Sequence, residues 1–257
     1  MEKVFIGTSG FSFEDWKGEV YPENIKSYEM LFYYENNFGF NTLEINYTYY
    51  ALPSQKTMES FYRRTSREFT FVVKAYKGLT HQRDDSFKKI SNIFKEGLKP
   101  LQEKLKAVLF QFPYNFNPTK ENIELIKNIK TEFGEYQVVI EFRNHRWLKD
   151  NYIELLRDMS LGFCIVDEPK LKGLMPFYPL LTSDVGYFRF HGRNENWFNA
   201  PSTTRYDYFY TDEELRTFIT PIKDISRRAA YTFIYFNNCH LGKAVKNAQR
   251  LKELLEE

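Results

Sequence analysis

The sequence is poor in the residues that staple small secreted folds or hold metal clusters. Two cysteines occur in 257 residues. Cys164 lies inside an apolar run and Cys239 near the end of another, without the spacing of a disulfide framework or a metal knuckle, and this usage fits a reducing, cytoplasmic setting. The four histidines include no HxH or HExxH pair, so no zinc-protease motif is present. No window approaches 18 consecutive apolar residues, which excludes a membrane-spanning helix. The opening Met1-Glu2-Lys3-Val4 also lacks the apolar stretch of a secretory leader. Charge of one sign is missing too: 36 Lys+Arg against 34 Asp+Glu leave a formal net charge of +2. That is too little for a general attraction to nucleic acid or to an acidic membrane, so any preference for anions must be local.

What the chain has in quantity is apolar and aromatic volume, 42% hydrophobic residues with 25 Phe and 19 Tyr, enough for one large core. Eight β-rich runs, at 4–10, 41–46, 69–75, 106–112, 137–143, 162–168, 185–192 and 231–238, recur at roughly 25 to 40 residues, the spacing of βα units on a parallel sheet. Helix signals fill most gaps. Thr211 and Glu214 form a capping box before Leu215, Phe218, Ile219, Ile222 and Ile225 at helical spacing. Ser54 and Thr119 are candidate N-caps, and Ala244, Val245, Ala248, Leu251 and Leu255 form a buried stripe on a last helix. The gap 169–184 differs, because its three prolines and weak periodicity predict a loop. The first run ends Gly7-Thr8-Ser9-Gly10-Phe11, which is not the glycine-rich phosphate loop of a doubly wound open sheet. The expected fold is therefore α/β, a (β/α)8 TIM barrel spanning residues 1–257 as one domain.

Alternation within each run assigns faces, since residues two apart share one side of a strand. Thr42, Glu44 and Asn46 oppose Leu43 and Ile45. Val139, Glu141 and Arg143 oppose Val138, Ile140 and Phe142. Tyr187, Arg189 and His191 oppose Phe188 and Phe190. The same rule places Lys74 after Val72, Gln111 after Leu109, Asp167 after Ile165 and Asn237 after Tyr235 on inner faces; parity does not settle the faces of Asn238 and His240, because a bulge at the last strand end would change it. Inner faces thus turn polar only toward strand C-termini, where barrel enzymes place their active sites. The competing reading is a set of interior ion pairs that only hold the barrel together.

The runs Ile6-Gly-Thr-Ser-Gly-Phe11 with Trp16, Thr42-Leu-Glu-Ile-Asn46, Phe71-Val-Val-Lys74 with His81, Phe110-Gln-Phe-Pro113, Val139-Ile-Glu-Phe-Arg143 with Trp147, Arg189-Phe-His-Gly-Arg193 and Tyr235-Phe-Asn-Asn238 together resemble the YecE-like family, domain of unknown function 72. The resemblance implies a TIM barrel and brings no reaction with it. It also implies that Glu44, Asn46, Lys74, His81, Glu141, Arg143, Asp167, Arg189, His191, Arg193 and Asn237 are recurrent polar positions.

Three functions compete for this constellation. In the first, an enzyme binds an anionic, phosphate- or carboxylate-bearing small molecule. Arg143, Arg189 and Arg193 supply planar donors, Asn46, His81, Gln111, Trp197 and Asn237 complete the binding set, and Glu44, Glu141, Asp167, His191 and Lys74 are the catalytic candidates. Lys74 also invites a Schiff-base role, ranked here below charge pairing because Glu44 and Glu141 would oppose a lowered pKa. In the second, the protein acts on DNA or RNA with a divalent metal held by Glu44, Glu141, Asp167 and His191, with His81 as a further donor. The third is a non-catalytic anion-binding module. A two-carboxylate glycosidase fits poorly beside three arginines. The loop aromatics Phe11, Phe13, Trp16, Tyr47, Tyr49, Tyr50, Trp197, Phe198, Tyr206 and Tyr208 can stack on a ligand, pack the loops, or, within 193–210, close a lid.

Overall fold

Each of the eight β-rich runs forms a strand, and the loops take over a few residues before most runs end. The structure is a computed structural model that describes residues 4–81, 86–201 and 204–257. The strands are β1 (Val4–Thr8), β2 (Thr42–Ile45), β3 (Thr70–Lys74), β4 (Leu105–Gln111), β5 (Val138–Glu141), β6 (Gly162–Asp167), β7 (Val185–Phe190) and β8 (Tyr231–Phe236). They pair in the order β1-β8-β7-β6-β5-β4-β3-β2, and each paired ladder is parallel. Neighbours in sequence are neighbours in space, the arrangement of a TIM barrel.

Seven α-helices cover the barrel among the described residues: α1 (Met30–Asn36), α2 (Gln55–Arg63), α3 (Phe87–Leu98), α4 (Lys120–Phe133), α5 (Asp150–Asp158), α6 (Asp212–Arg228) and α7 (Lys243–Glu256). The capping chemistry is where the sequence puts it. Ser54 Oγ accepts from Thr57 N at 3.1 Å, and Thr119 Oγ1 from Asn122 N at 3.3 Å. Thr211 and Glu214 exchange side-chain-to-backbone bonds at 3.3 and 3.0 Å, satisfying two N-terminal donors of α6. Leu215, Phe218, Ile222 and Ile225 form the buried face of α6. No helix follows β6; residues 169–184 run as loop, as their prolines require. No helix among the described residues is long and apolar enough to cross a membrane.

The barrel closes at a seam between β1 and β2, where the ladder is reduced to a single bridge between Ser9 and Glu44. Gly10 N donates to Glu44 O there at 2.9 Å. One turn below, the Tyr34 hydroxyl of α1 replaces the missing strand-to-strand bond: it accepts from Thr8 N at 2.9 Å and donates to Thr42 O at 3.0 Å. Gly7 makes that approach sterically feasible, since a Cβ there would stand 2.4 Å from Thr42 O and 2.8 Å from the Tyr34 hydroxyl. Outer-face residues such as Ile140, Phe188 and Phe190 are buried under the helices.

Candidate functional site

The strand register decides which polar side chains meet inside the barrel. Glu44 pairs with Val72, Lys74 with Leu109, and Gln111 with Glu141, so these positions share the inner face. Across β6 and β7, Cys164 pairs with Tyr187 and Val166 with Arg189. Cys164, Val166 and, by alternation, Glu168 therefore face inward, while Asp167 pairs with Phe190 on the outer face. The inward placement expected for Asp167 is thus corrected. The physical reason is that β6 is buried on both sides, so its apolar run carries no readable alternation.

Inside, five charges of alternating sign form one chain from Glu44 through Arg189, Glu141 and Arg143 to Glu168. Arg189 donates to Glu44 Oε1 at 2.7 Å and to Glu141 Oε2 at 2.6 Å. Arg143 donates to Glu141 Oε1 and to Glu168 Oε2, each at 2.5 Å. The remaining oxygens are taken as well: Tyr187 donates to Glu44 Oε2 at 2.6 Å, and Met175 N to Glu168 Oε1 at 3.0 Å. Burial alone would raise the Glu141 carboxyl, but Arg189 and Arg143 outweigh it and hold the group well below the usual range. Burial pushes Glu168 up to about 7 despite the opposing Arg143 guanidinium.

His191 is sealed in the same layer. Its Nδ1 faces two donors, Asn237 Nδ2 at 2.9 Å and an Arg143 nitrogen at 3.3 Å, so Nδ1 accepts and the proton belongs on Nε2. Nε2 lies 3.2 Å from Glu141 Oε1 without the alignment of a hydrogen bond. Burial and then Arg143 push the imidazole well below its ordinary pKa, leaving it neutral.

These contacts speak against the metal arrangement. The Arg189 guanidinium fills the gap between Glu44 and Glu141 where a cation would sit, Asp167 faces the opposite way, and no three His, Cys, Asp or Glu side chains among the described residues could converge on an ion. The donor set does not fit a divalent metal.

Asp167 and Arg193 have a structural task. Arg193 clamps Asp167 with bonds of 2.8 and 2.9 Å, Tyr210 donates to the same carboxylate at 2.7 Å, and Arg193 reaches Glu214 at 2.9 Å. This outer-face cluster ties the segment after β7 to the start of α6. Arg193, expected to bind ligand, is therefore spent on that anchor. Asn238 likewise points outward, donating to Tyr208 O and Asn247 Oδ1 at 2.9 Å. His240 sits on the rim, 3.4 Å from Asp15.

Above the ion chain, at the C-terminal mouth, opens a cavity of about 430 Å³ lined by Lys74, His81, Gln111, Arg143 and Trp197 together with Tyr49, Tyr114, Arg205 and Tyr206. Lys74 Nζ lies 4.6 Å from the centroid of the Tyr49 ring. Burial and then Arg189 lower its amine to about 7, against the pull of Glu141 and Glu44. Burial and the neighbouring Lys74 bring His81 down to about 4, and its Nδ1 lies 2.7 Å from Thr80 Oγ1. Trp197 is buried under the guanidinium groups of Arg143 and Arg205, 5.4 and 6.0 Å from its ring.

Of the predicted residues, Glu44, Glu141, Arg189, His191 and Asn237 thus form the cavity's floor or lie beneath it. Asn46 lines an adjoining hollow of about 280 Å³ with Phe11, Phe13 and Phe61. Sequence reasoning missed Glu168 and Arg205. The strand-to-strand register could have found the first; the second sits in the 193–210 tract, whose path no periodicity describes. Residues 202–203 of that tract lie outside the described residues.

Comparison with known proteins agrees with this architecture. A family model described as "Protein of unknown function DUF72" matches residues 5–257. The UPF0759 protein YunF of Bacillus subtilis (strain 168) is 30% identical over 272 residues, covering 98% of this chain and 95% of that protein. The crystal structure of a DUF72 family protein, TM1631 from Thermotoga maritima MSB8, superposes with a TM-score of 0.93 at 42% identity, covering 99% of this chain and 100% of the other. D-psicose 3-epimerase in the presence of D-fructose shares the fold alone, with a TM-score of 0.56 at 10% identity over 98% of this chain and 97% of the other. The family model spans nearly the whole chain, and the chain belongs to the DUF72 family.

Proposed function

We propose that the protein is an enzyme that binds a small phosphate- or carboxylate-bearing anion at the C-terminal mouth of its barrel. One observation carries the reading: the mouth cavity is lined by Lys74, Arg143 and Arg205, and no Asp or Glu is among its lining residues within the described part of the chain. Arg143 keeps N–H groups beyond those given to Glu141, Glu168 and His191, Arg205 has no Asp or Glu partner among the described residues, and an anion entering the recess is held by both guanidinium groups. Arg205 Nε has no hydrogen-bond partner among the described residues, a donor left over for such a ligand. The volume of about 430 Å³ lies in the range of small-molecule sites, and the rings of Tyr49, Trp197 and Tyr206 suit a planar portion of the ligand. Proton transfer falls to Lys74 in place of the carboxylates and His191, because Glu44, Glu141, Glu168 and His191 are all buried beneath the cavity and none of them lines it. An amine brought to about 7 exchanges protons near neutrality.

The reading is tested by thermal unfolding and calorimetric titration with inorganic phosphate, nucleoside monophosphates, sugar phosphates and dicarboxylates. A ligand at one hundred times its Kd stabilises by about 2.7 kcal/mol. Arg205→Gln is expected to weaken binding about tenfold, as loss of a charge-assisted bond does. Absence of binding by every anion, or binding unchanged in both Arg205→Gln and Lys74→Met, refutes the reading.

A nucleic-acid reading has one observation in its favour: Tyr50 and Phe198, on the rim, are 73% and 52% exposed and could stack on bases. It requires affinity that grows with oligonucleotide length and falls steeply with salt; mononucleotides that bind as well as oligomers exclude it.

A further inference from the structure

We propose that Lys74 is a nucleophilic amine that forms a Schiff base with an aldehyde or 2-oxo group of the anion bound in the mouth cavity. The inference rests on the anion-binding reading and adds the chemical class of the substrate, an anionic carbonyl compound.

Among the described residues Lys74 lacks the counter-charge expected of a lysine inside a barrel. An interior lysine is ordinarily neutralised by a carboxylate, and three carboxylates share this barrel. Each of their six oxygens already takes a donor: Glu44 from Arg189 and Tyr187, Glu141 from Arg189 and Arg143, Glu168 from Arg143 and Met175 N. Among the described residues none is an ion-pair partner of Lys74, and the contact its amine makes is the Tyr49 ring face at 4.6 Å. The charged groups facing it are Arg189 and Arg143, which disfavour a further cation, and Glu141 and Glu44, which favour it but are already matched by those arginines. His81, a further titratable neighbour, is neutral. Burial and this balance leave the amine with a free lone pair near neutral pH, and it opens onto the cavity. Charge pairing, the role ranked first for Lys74 from sequence, therefore has no partner among the described residues, whereas these are the conditions that activate a lysine nucleophile.

The step balances without an oxidant or reductant. The Nζ lone pair attacks the carbonyl carbon and forms the C–N bond, while the C–O π pair moves to oxygen. That oxygen takes the proton released by nitrogen, giving a neutral carbinolamine. Uptake of one further proton from solvent and departure of the oxygen as water leave the protonated imine. Arg143 and Arg205 hold the phosphate or carboxylate, and the Tyr49 face lies where the new cation forms.

Pyridoxal 5′-phosphate, which combines a phosphate, a planar ring and an aldehyde, is the probe, and pyridoxine 5′-phosphate, its alcohol, is the control without a carbonyl. The intact protein is mixed with equimolar pyridoxal 5′-phosphate at neutral pH, reduced with borohydride and mapped by peptide mass spectrometry. Lys74 is expected to carry the label about tenfold above any other lysine. Excess inorganic phosphate should suppress the labelling, and Lys74→Arg should abolish it while still binding the alcohol by calorimetry. If the alcohol binds but the label spreads over surface lysines, the Schiff base is refuted and the anion site stands. If neither compound binds, the anion-binding reading falls and the inference with it. The mapping on the unaltered protein decides the matter even if the variant does not fold.

Discussion

Replacing Lys74 by methionine is expected to stabilise the protein at neutral pH and to lose most of that advantage by pH 10. The amine titrates at 10.5 in the unfolded chain and at about 7 in the fold. Between those values the unfolded chain holds a proton that the folded protein has given up. Stability is therefore lost as pH falls toward 7, with no further loss once both states are protonated. At face value the cost is about 5 kcal/mol. Lys74 borders an open cavity, so water and relaxation reduce this to about 2–3 kcal/mol. With an unfolding entropy of ~2.1 cal/mol/K per residue, a chain of this length converts that to about 4–6 °C in Tm. Methionine keeps the length of the stem and removes the charge. Thermal unfolding of both proteins, followed by circular dichroism at pH 7 and pH 10, should show a gap that is widest at pH 7. A methionine variant less stable at pH 7, or a gap that does not change with pH, would mean that Lys74 is charged and paired, and would sink the argument for a neutral amine.

Other parts of the structure make separate predictions. Tyr34→Phe strands Thr8 N and Thr42 O at the β1–β2 seam and should cost about 2–4 kcal/mol in urea denaturation; an unchanged midpoint would show that the hydroxyl does not close the barrel. Arg189→Met leaves Glu44 and Glu141 buried without their shared cation, for an expected loss of about 3–5 kcal/mol. Adding Glu44→Gln and Glu141→Gln should recover a large part of it, and no recovery would count against the alternating ion chain. Asp167→Asn should destabilise by about 1–3 kcal/mol through Arg193 and Tyr210 while phosphate affinity at the mouth stays unchanged; a loss of binding without a loss of stability would return Asp167 to the site.

The barrel was legible because its signals are local. Capping residues, prolines and apolar stripes act within a few residues of themselves, so Thr211 with Glu214, Ser54, and the prolines of 169–184 each do in the structure what their neighbours in sequence require. Inner faces were legible where polar and apolar residues alternate, as in β2, β5 and β7. They are not legible in β6, which is apolar on both sides, and there alternation from Ile165 points to Asp167 although Glu168 is the residue that faces inward. By itself, then, the sequence determined eight strands, helices in most of the gaps between them and a polar interior at the strand ends, since period and propensity are properties of a few consecutive residues. Only the tertiary structure decided which charges cancel. Three carboxylates and two arginines from four different strand ends pair with one another, Asp167 and Arg193 pair on the far side of the sheet, and Lys74 faces the cavity without a carboxylate partner among the described residues. Pairing energies depend on distances between residues far apart in the chain, and those distances exist only once the barrel has closed.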